Sequence, residues 1–137
     1  MTDRRRKGAA IVDTPKGVLV VAGRNKKFML PGGGANQGES RRNATIRELY
    51  EETRLKTKSV KYLFGCVGHK WRTHRGKIVR NHTHIFLIKT IGIPKPSHEI
   101  KYISFWKPGS KTPITDGTKE KIEKYLLKKK KNYSSSE

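Results

Sequence analysis

Apolar residues arrive along this chain in short bursts, and the spacing inside each burst changes with position. "GAAIVDT" (residues 8–14) and "KGVLVVAG" (16–23) are dense apolar runs of strand length, broken at Pro15 and Gly17. They predict two strands joined by a turn. "KKFMLP" predicts a third short strand closed by Pro31, and "GGGANQGES" after it has no hydrophobic anchor and reads as a glycine-rich loop. From Ser40 the period lengthens. Ser40 is a helix-capping residue type, and Ala44, Ile46, Leu49 and Tyr50 recur at helical spacing up to about Thr53. "SVKYLFGCVGHKW" and "KIVRNHTHIFLIKT" predict two longer strands, with "RTHRGK" as the basic loop of a hairpin. "IKYISFWKP" alternates Ile100, Tyr102, Ser104 and Trp106 against Lys101, Ile103 and Phe105, a further strand in which Trp106 reads as core. "ITDGTKEKIEKYLL" groups Ile122, Tyr125 and Leu126 on one face of a C-terminal helix. Strands mixed with two well-separated helices imply a layered α/β domain.

Length adds one constraint: 137 residues make a single domain that can bury a core without disulfides or a structural metal. We place that domain at residues 1–127 and expect residues 128–137, "KKKKNYSSSE", to be a basic, polar, disordered tail. The one cysteine, Cys66, excludes an intrachain disulfide and a thiol–metal cluster, which fits a reducing cytoplasm. The opening basic run is followed by only five apolar or small residues before Asp13, too few for a signal sequence, and no stretch reaches membrane-spanning length. The expectation is a soluble cytoplasmic protein without a membrane partner.

Charge changes the picture more. Lys and Arg number 32 and Asp and Glu 11, a net formal charge of +21. Such an excess suits polyanionic partners, nucleotides and nucleic acids among them, although a merely soluble basic surface gives the same count. Between residues 14 and 115 only five acids remain, Glu39, Glu48, Glu51, Glu52 and Glu99, and four of these fall in the glycine loop and the helix after it. On a helix Glu48, Glu51 and Glu52 stand at i, i+3 and i+4 and share a face, where like charges repel by a few tenths of a kcal/mol per pair. A divalent cation removes that repulsion, and an all-oxygen donor set suits Mg²⁺ or Mn²⁺ better than zinc. Local pairing with Arg and Lys on a solvated helix is the plainer alternative. The adjacent "LPGGGANQGE" tips the balance, because glycine-rich backbone running into a helix N-terminus receives phosphate oxygens.

Residues 33–55, "GGANQGESRRNATIRELYEETRL", resemble the signature box of the Nudix hydrolases. Gly33, Glu39, Arg47, Glu48, Leu49, Glu51, Glu52 and Leu55 match it at the proper spacing, and "LPGG" before it resembles the family's lead-in. Arg54 stands where the family has Gly, a position suited to a helix C-cap of positive φ; Arg there is expected to extend the helix slightly. The resemblance implies an α/β/α sandwich around a central mixed sheet and Mg²⁺-dependent hydrolysis of a nucleoside diphosphate linked to another group. It implies that Glu48, Glu51, Glu52 and the Gly32 carbonyl hold the metal (Mn²⁺ being the other candidate), that Glu48 or Glu52 activates water, and that Glu39 and Arg47 brace the loop. Several family members add an acid from a later loop, and Glu99 is the remaining candidate, against a plain surface acid. A nucleoside triphosphate, an oxidised one included, is the default substrate. RNA 5′ ends, dinucleoside polyphosphates and inositol pyrophosphates are the alternatives that the excess positive charge raises. A binding module with vestigial catalysis is the rival class.

Gly33 and Gly34, at the start of the box, are expected to approach substrate. His82 and His84 share a strand face with Phe86 and could meet a base or a phosphate, as could Arg72 beside Trp71 in the basic hairpin. Packed or solvated side chains are the alternative for each. Two histidines at i, i+2 lack the further ligands of a zinc site.

Overall fold

The computed structural model describes residues 2–135, with side chains to residue 131. Seven strands and two helices follow one another as β1 (Thr2–Ile11), β2 (Asp13–Thr14), β3 (Gly17–Ala22), β4 (Gly32–Gly34), α1 (Arg41–Thr53), β5 (Lys56–Arg72), β6 (Ile78–Ile91), β7 (Tyr102–Trp106) and α2 (Asp116–Ser135). One sheet has the order β4-β1-β6-β5 and a smaller one β2-β3-β7. The β1–β6 pairing is parallel and the other ladders are antiparallel, so the larger sheet is mixed, as expected. No described helix is long and apolar enough to cross a membrane.

Strand alternation explains the layering. Ile11, Val18, Val20, Leu63, Phe64, Ile85 and Trp106 pack with Ile122 and Tyr125 of α2. Their neighbours in sequence, Ala10, Val12, Leu19, Phe86 and Ile88, pack with Leu49 of α1 and with Leu55. The period of two thus sends consecutive residues to opposite cores, one under each helix, except at the irregularity in β5 between Tyr62 and Phe64, where Leu63 and Phe64 enter the same core.

Four expectations need correction. β1 begins at Thr2, not at Gly8, because β6 continues beside it and supplies a ladder partner to each of Arg4, Arg5 and Arg6. The predicted strand over "KKFMLP" is reduced to isolated bridges, Val21 to Met29 and Phe28 to Ile114, for want of a continuous partner. The presumed loop at Gly32–Gly34 is a short strand against Lys7–Ala9. A Cβ on Gly32 would stand 2.7 Å from the Ala9 Cα, so only glycine brings these backbones together here. Finally, the tail expected to be disordered from Lys128 is helical: α2 runs on to Ser135, and residues 136–137 lie outside the described ones. The Lys128 ammonium donates to the Leu63 carbonyl (3.1 Å) and Lys129 pairs with Asp13 (2.8 Å), which fasten two of the supposed tail lysines to the sheet.

Candidate active site

The hydroxyl of Ser40 accepts the Asn43 N–H at 3.0 Å and starts α1, as its residue type predicts. The helix ends at Thr53, so Arg54 does not extend it. Arg54 takes the left-handed conformation (φ 64°) at the C-cap, and its N–H donates to the Tyr50 carbonyl. The strain is offset locally: the guanidinium donates twice to the Ser97 hydroxyl (3.1 and 2.8 Å) and lies 5.3 Å from the Tyr50 ring centroid.

Ser97 belongs to the loop between β6 and β7, which is stitched to the end of α1. The Lys95 N–H donates to the Thr53 carbonyl and the Ser97 N–H to the Glu52 carbonyl. This stitching carries Glu99 back to the helix. Carboxylate oxygens of Glu48, Glu52 and Glu99 come within 4.8 Å of one another. Glu51 is not in that trio; it is more than one-third exposed and lies 3.5 Å from Arg47. Glu52 is only 6% exposed, and its Oε1 accepts the Gly32 N–H at 2.8 Å. Burial pushes its carboxyl up to about 8, and the charges of Glu48, Glu99 and Glu51 push the same way, against the one Gly32 hydrogen bond. Three converging carboxylates made of hard oxygen donors, one of them with its pKa raised by burial and by its neighbours' charges, fit a divalent cation of the Mg²⁺ or Mn²⁺ type.

Arg47 fastens the glycine segment to the helix. Its Nε and Nη2 grip both oxygens of Glu39 at 2.9 Å, Nη1 donates to Glu48 at 2.8 Å, and Nη2 reaches the Gly34 carbonyl at 3.2 Å. The fork with Arg47, helped by the Asn36 N–H, holds the Glu39 carboxyl down at about 2. A Cβ on Gly33 would stand 2.7 Å from Glu48 Cδ, so glycine there leaves the Glu48 carboxylate its place.

A cavity of about 690 Å³ opens beside this cluster, between the mixed sheet and the start of α2. Gly32, Gly33, Lys7, Phe64, Asn81, Thr83, Thr118 and Lys121 are among its lining. His82 and His84 do not line it, because alternation along β6 gives the cavity Asn81 and Thr83 instead. His84 stacks edge-on with Tyr62 (5.2 Å), and its imidazole pKa is lowered by burial and by the charges of Arg41 and Arg6. The His82 carbonyl accepts from Arg41 of α1. Arg72 is at the hairpin tip, donating to the Gly76 carbonyl of its own turn, and Gly34 lies against Arg5. Sequence reasoning missed Lys7, Asn81, Thr83 and Lys121. The odd-numbered phase of β6, opposite the histidines, was the available signal for two of them.

A family model described as the NUDIX domain matches residues 3–125. The chain belongs to the Nudix family. Membership makes it a pyrophosphohydrolase by class. Among solved structures, this Nudix chain is 34% identical to a nudix hydrolase family member from Chromobacterium violaceum, with 91% of this chain and 78% of that one covered and a TM-score of 0.74. It is 26% identical to a MutT protein from Bacillus halodurans (87% and 80% covered, TM-score 0.70). A MutT Nudix hydrolase from Burkholderia pseudomallei, 18% identical over 88% of this chain and 97% of that one, shares the fold with a TM-score of 0.71. No curated protein sequence matches significantly.

Proposed function

We propose that this Nudix hydrolase is Mg²⁺-dependent and cleaves a pyrophosphate bond in a nucleoside triphosphate. The observation that carries the reading is the meeting of Glu48, Glu52 and Glu99 beside the glycine strand, whose Gly32 and Gly33 line a cavity large enough for a nucleotide. Glu48 and Glu52 are the residues that would hold the cation, with the Gly32 carbonyl and Glu51 as further candidates. Bound there, a hard divalent ion supplies positive charge against phosphate oxygens and acidifies water.

The three carboxylates differ in what is left to them. Glu52 Oε1 is engaged by the Gly32 N–H and Glu48 Oε1 by Arg47. The Glu99 carboxylate is exposed and makes no hydrogen bond to another described residue, so its lone pairs are free to take a proton from an attacking water. Gly33 and Gly34 keep the backbone open to a phosphate chain, and the Arg47–Glu39 fork holds that backbone against α1. Catalysis on this reading is mainly positioning and electrostatics.

The test is a panel of nucleoside triphosphates, a nucleoside diphosphate sugar, dinucleoside polyphosphates, 5′-triphosphorylated RNA and an inositol pyrophosphate, each with Mg²⁺, Mn²⁺ or EDTA. Hydrolysis that EDTA abolishes, fastest on triphosphates, is the expected result; no turnover on any substrate sinks it. Glu99→Gln should lower kcat by about 10²- to 10⁴-fold if Glu99 is the base, and unchanged kcat removes it from that role.

A further inference from the structure

Lys7 of β1 and Lys121 of α2 face the same cavity from opposite walls, and both are half-buried. Neither has a carboxylate within 4 Å among the described residues, where the ion pairs are those of Arg47, Lys77 and Lys129. Arg47 already occupies Glu39, Glu48 and Glu51. The cavity's own acids, Asp116 and Glu120, are exposed at its rim, as is Lys124, whose ammonium lies 4.6 Å from the Phe64 ring centroid. Two cations are therefore held partly out of water, near each other, without a counter-ion. Such an arrangement destabilises the empty protein unless an anion enters. The electrostatics of Lys7 agree: burial, Arg5 and Lys121 all push its ammonium pKa down, while only Glu52 and Glu48 oppose them. Lys7 thus lines the cavity within electrostatic reach of the carboxylate cluster.

We propose that Lys7 and Lys121 form a phosphate clamp that holds a substrate phosphate beyond the pair engaged at the carboxylate cluster. The clamp selects substrates with three or more consecutive phosphates over nucleoside diphosphate sugars. Two ammonium groups match the charge of one phosphate dianion, and a neutral sugar in its place leaves them uncompensated. This deepens the proposed function and rests on its placing substrate in the cavity.

Binding of inorganic tripolyphosphate in EDTA at low salt, measured by calorimetry, tests the clamp without turnover. Lys7→Met and Lys121→Met should each weaken binding by about 10- to 100-fold. Lys111→Met, an exposed control outside the cavity, should bind like the parent. Equal affinity for the parent and the two clamp variants, or an equal loss in the Lys111 control, overturns the proposal. Circular dichroism checks folding, and Lys7→Arg, which keeps the charge, should retain binding. In turnover, Lys7→Met should raise KM for a nucleoside triphosphate far more than for a nucleoside diphosphate sugar; equal effects on both count against the clamp. A parent protein that binds tripolyphosphate but hydrolyses nothing sinks the proposed function and leaves the clamp standing.

Discussion

Replacing Glu52 with Gln should stabilise the metal-free protein at alkaline pH and abolish its turnover. Glu52 is 6% exposed and faces Glu48 and Glu99, and its folded-state pKa is about 8 against an ordinary 4.5. A raised pKa means that the folded state holds the proton more tightly than the unfolded state. The stabilisation from that proton is complete below about pH 4.5 and is lost as pH rises through about 8. At 1.36 kcal/mol per unit, the full shift corresponds to ~5 kcal/mol, and water entering the cleft as the group ionises should leave about 1–3 kcal/mol of it. Glutamine keeps the size and an oxygen acceptor for the Gly32 N–H but carries no charge. Urea unfolding in EDTA at pH 5, 7 and 9 should show the parent weakening with pH and the variant nearly flat, the two crossing near neutrality. Mg²⁺ should restore the parent at pH 9 and leave the variant almost unchanged. A parent whose stability does not fall between pH 5 and 9, or a variant weaker than the parent at pH 9, would refute the burial argument.

Three further outcomes follow from the same contacts. Arg54→Gly relieves the left-handed strain but gives up the Ser97 hydrogen bonds, whereas Arg54→Ala gives up both advantages, so in urea the alanine variant should be ~1 kcal/mol weaker than the glycine one. Gly33→Ala places a methyl 2.7 Å from Glu48 Cδ; kcat should fall by about 10²-fold while the melting temperature moves little, because the clash is with a side chain and not with backbone. Glu39 carries the opposite sign to Glu52. Its pKa is depressed to about 2, so its stabilisation is present above about pH 4.5 and is lost as pH falls through about 2. An acid titration of the parent should show that limb, and Arg47→Met should remove it.

The legible parts of the fold were those with local causes. The α1 helix, its Ser40 cap and the buried Ile122 and Tyr125 each rest on spacing within one helix and stand where the sequence predicts them, although Tyr50, counted on the apolar face of α1, is 42% exposed. Most errors turned on distant strands, which gave β1 and β4 a partner and left "KKFMLP" without a continuous one. Arg4–Arg6 fall outside the expected strand until β6 is beside them, and Gly32–Gly34 look like a loop until β1 is. The helical tail is of the same kind, since Leu63 and Asp13 anchor lysines more than 60 residues away.

By itself the sequence determined that three glutamates share a helix face behind a glycine run, because helix pitch turns the i, i+3, i+4 spacing into proximity. It also determined the Arg47–Glu39 brace, through the spacing of the box. Only the tertiary structure decided which acids meet. It brings Glu99 across by hydrogen bonds from its loop to the end of α1, and leaves Glu51 against Arg47. It also decided that the cavity receives Asn81 and Thr83 and not His82 and His84, and that Lys7 and Lys121 line the same cavity. Those outcomes depend on which face of a strand is covered and by what, and a period of two residues leaves that choice open until the sheet is assembled.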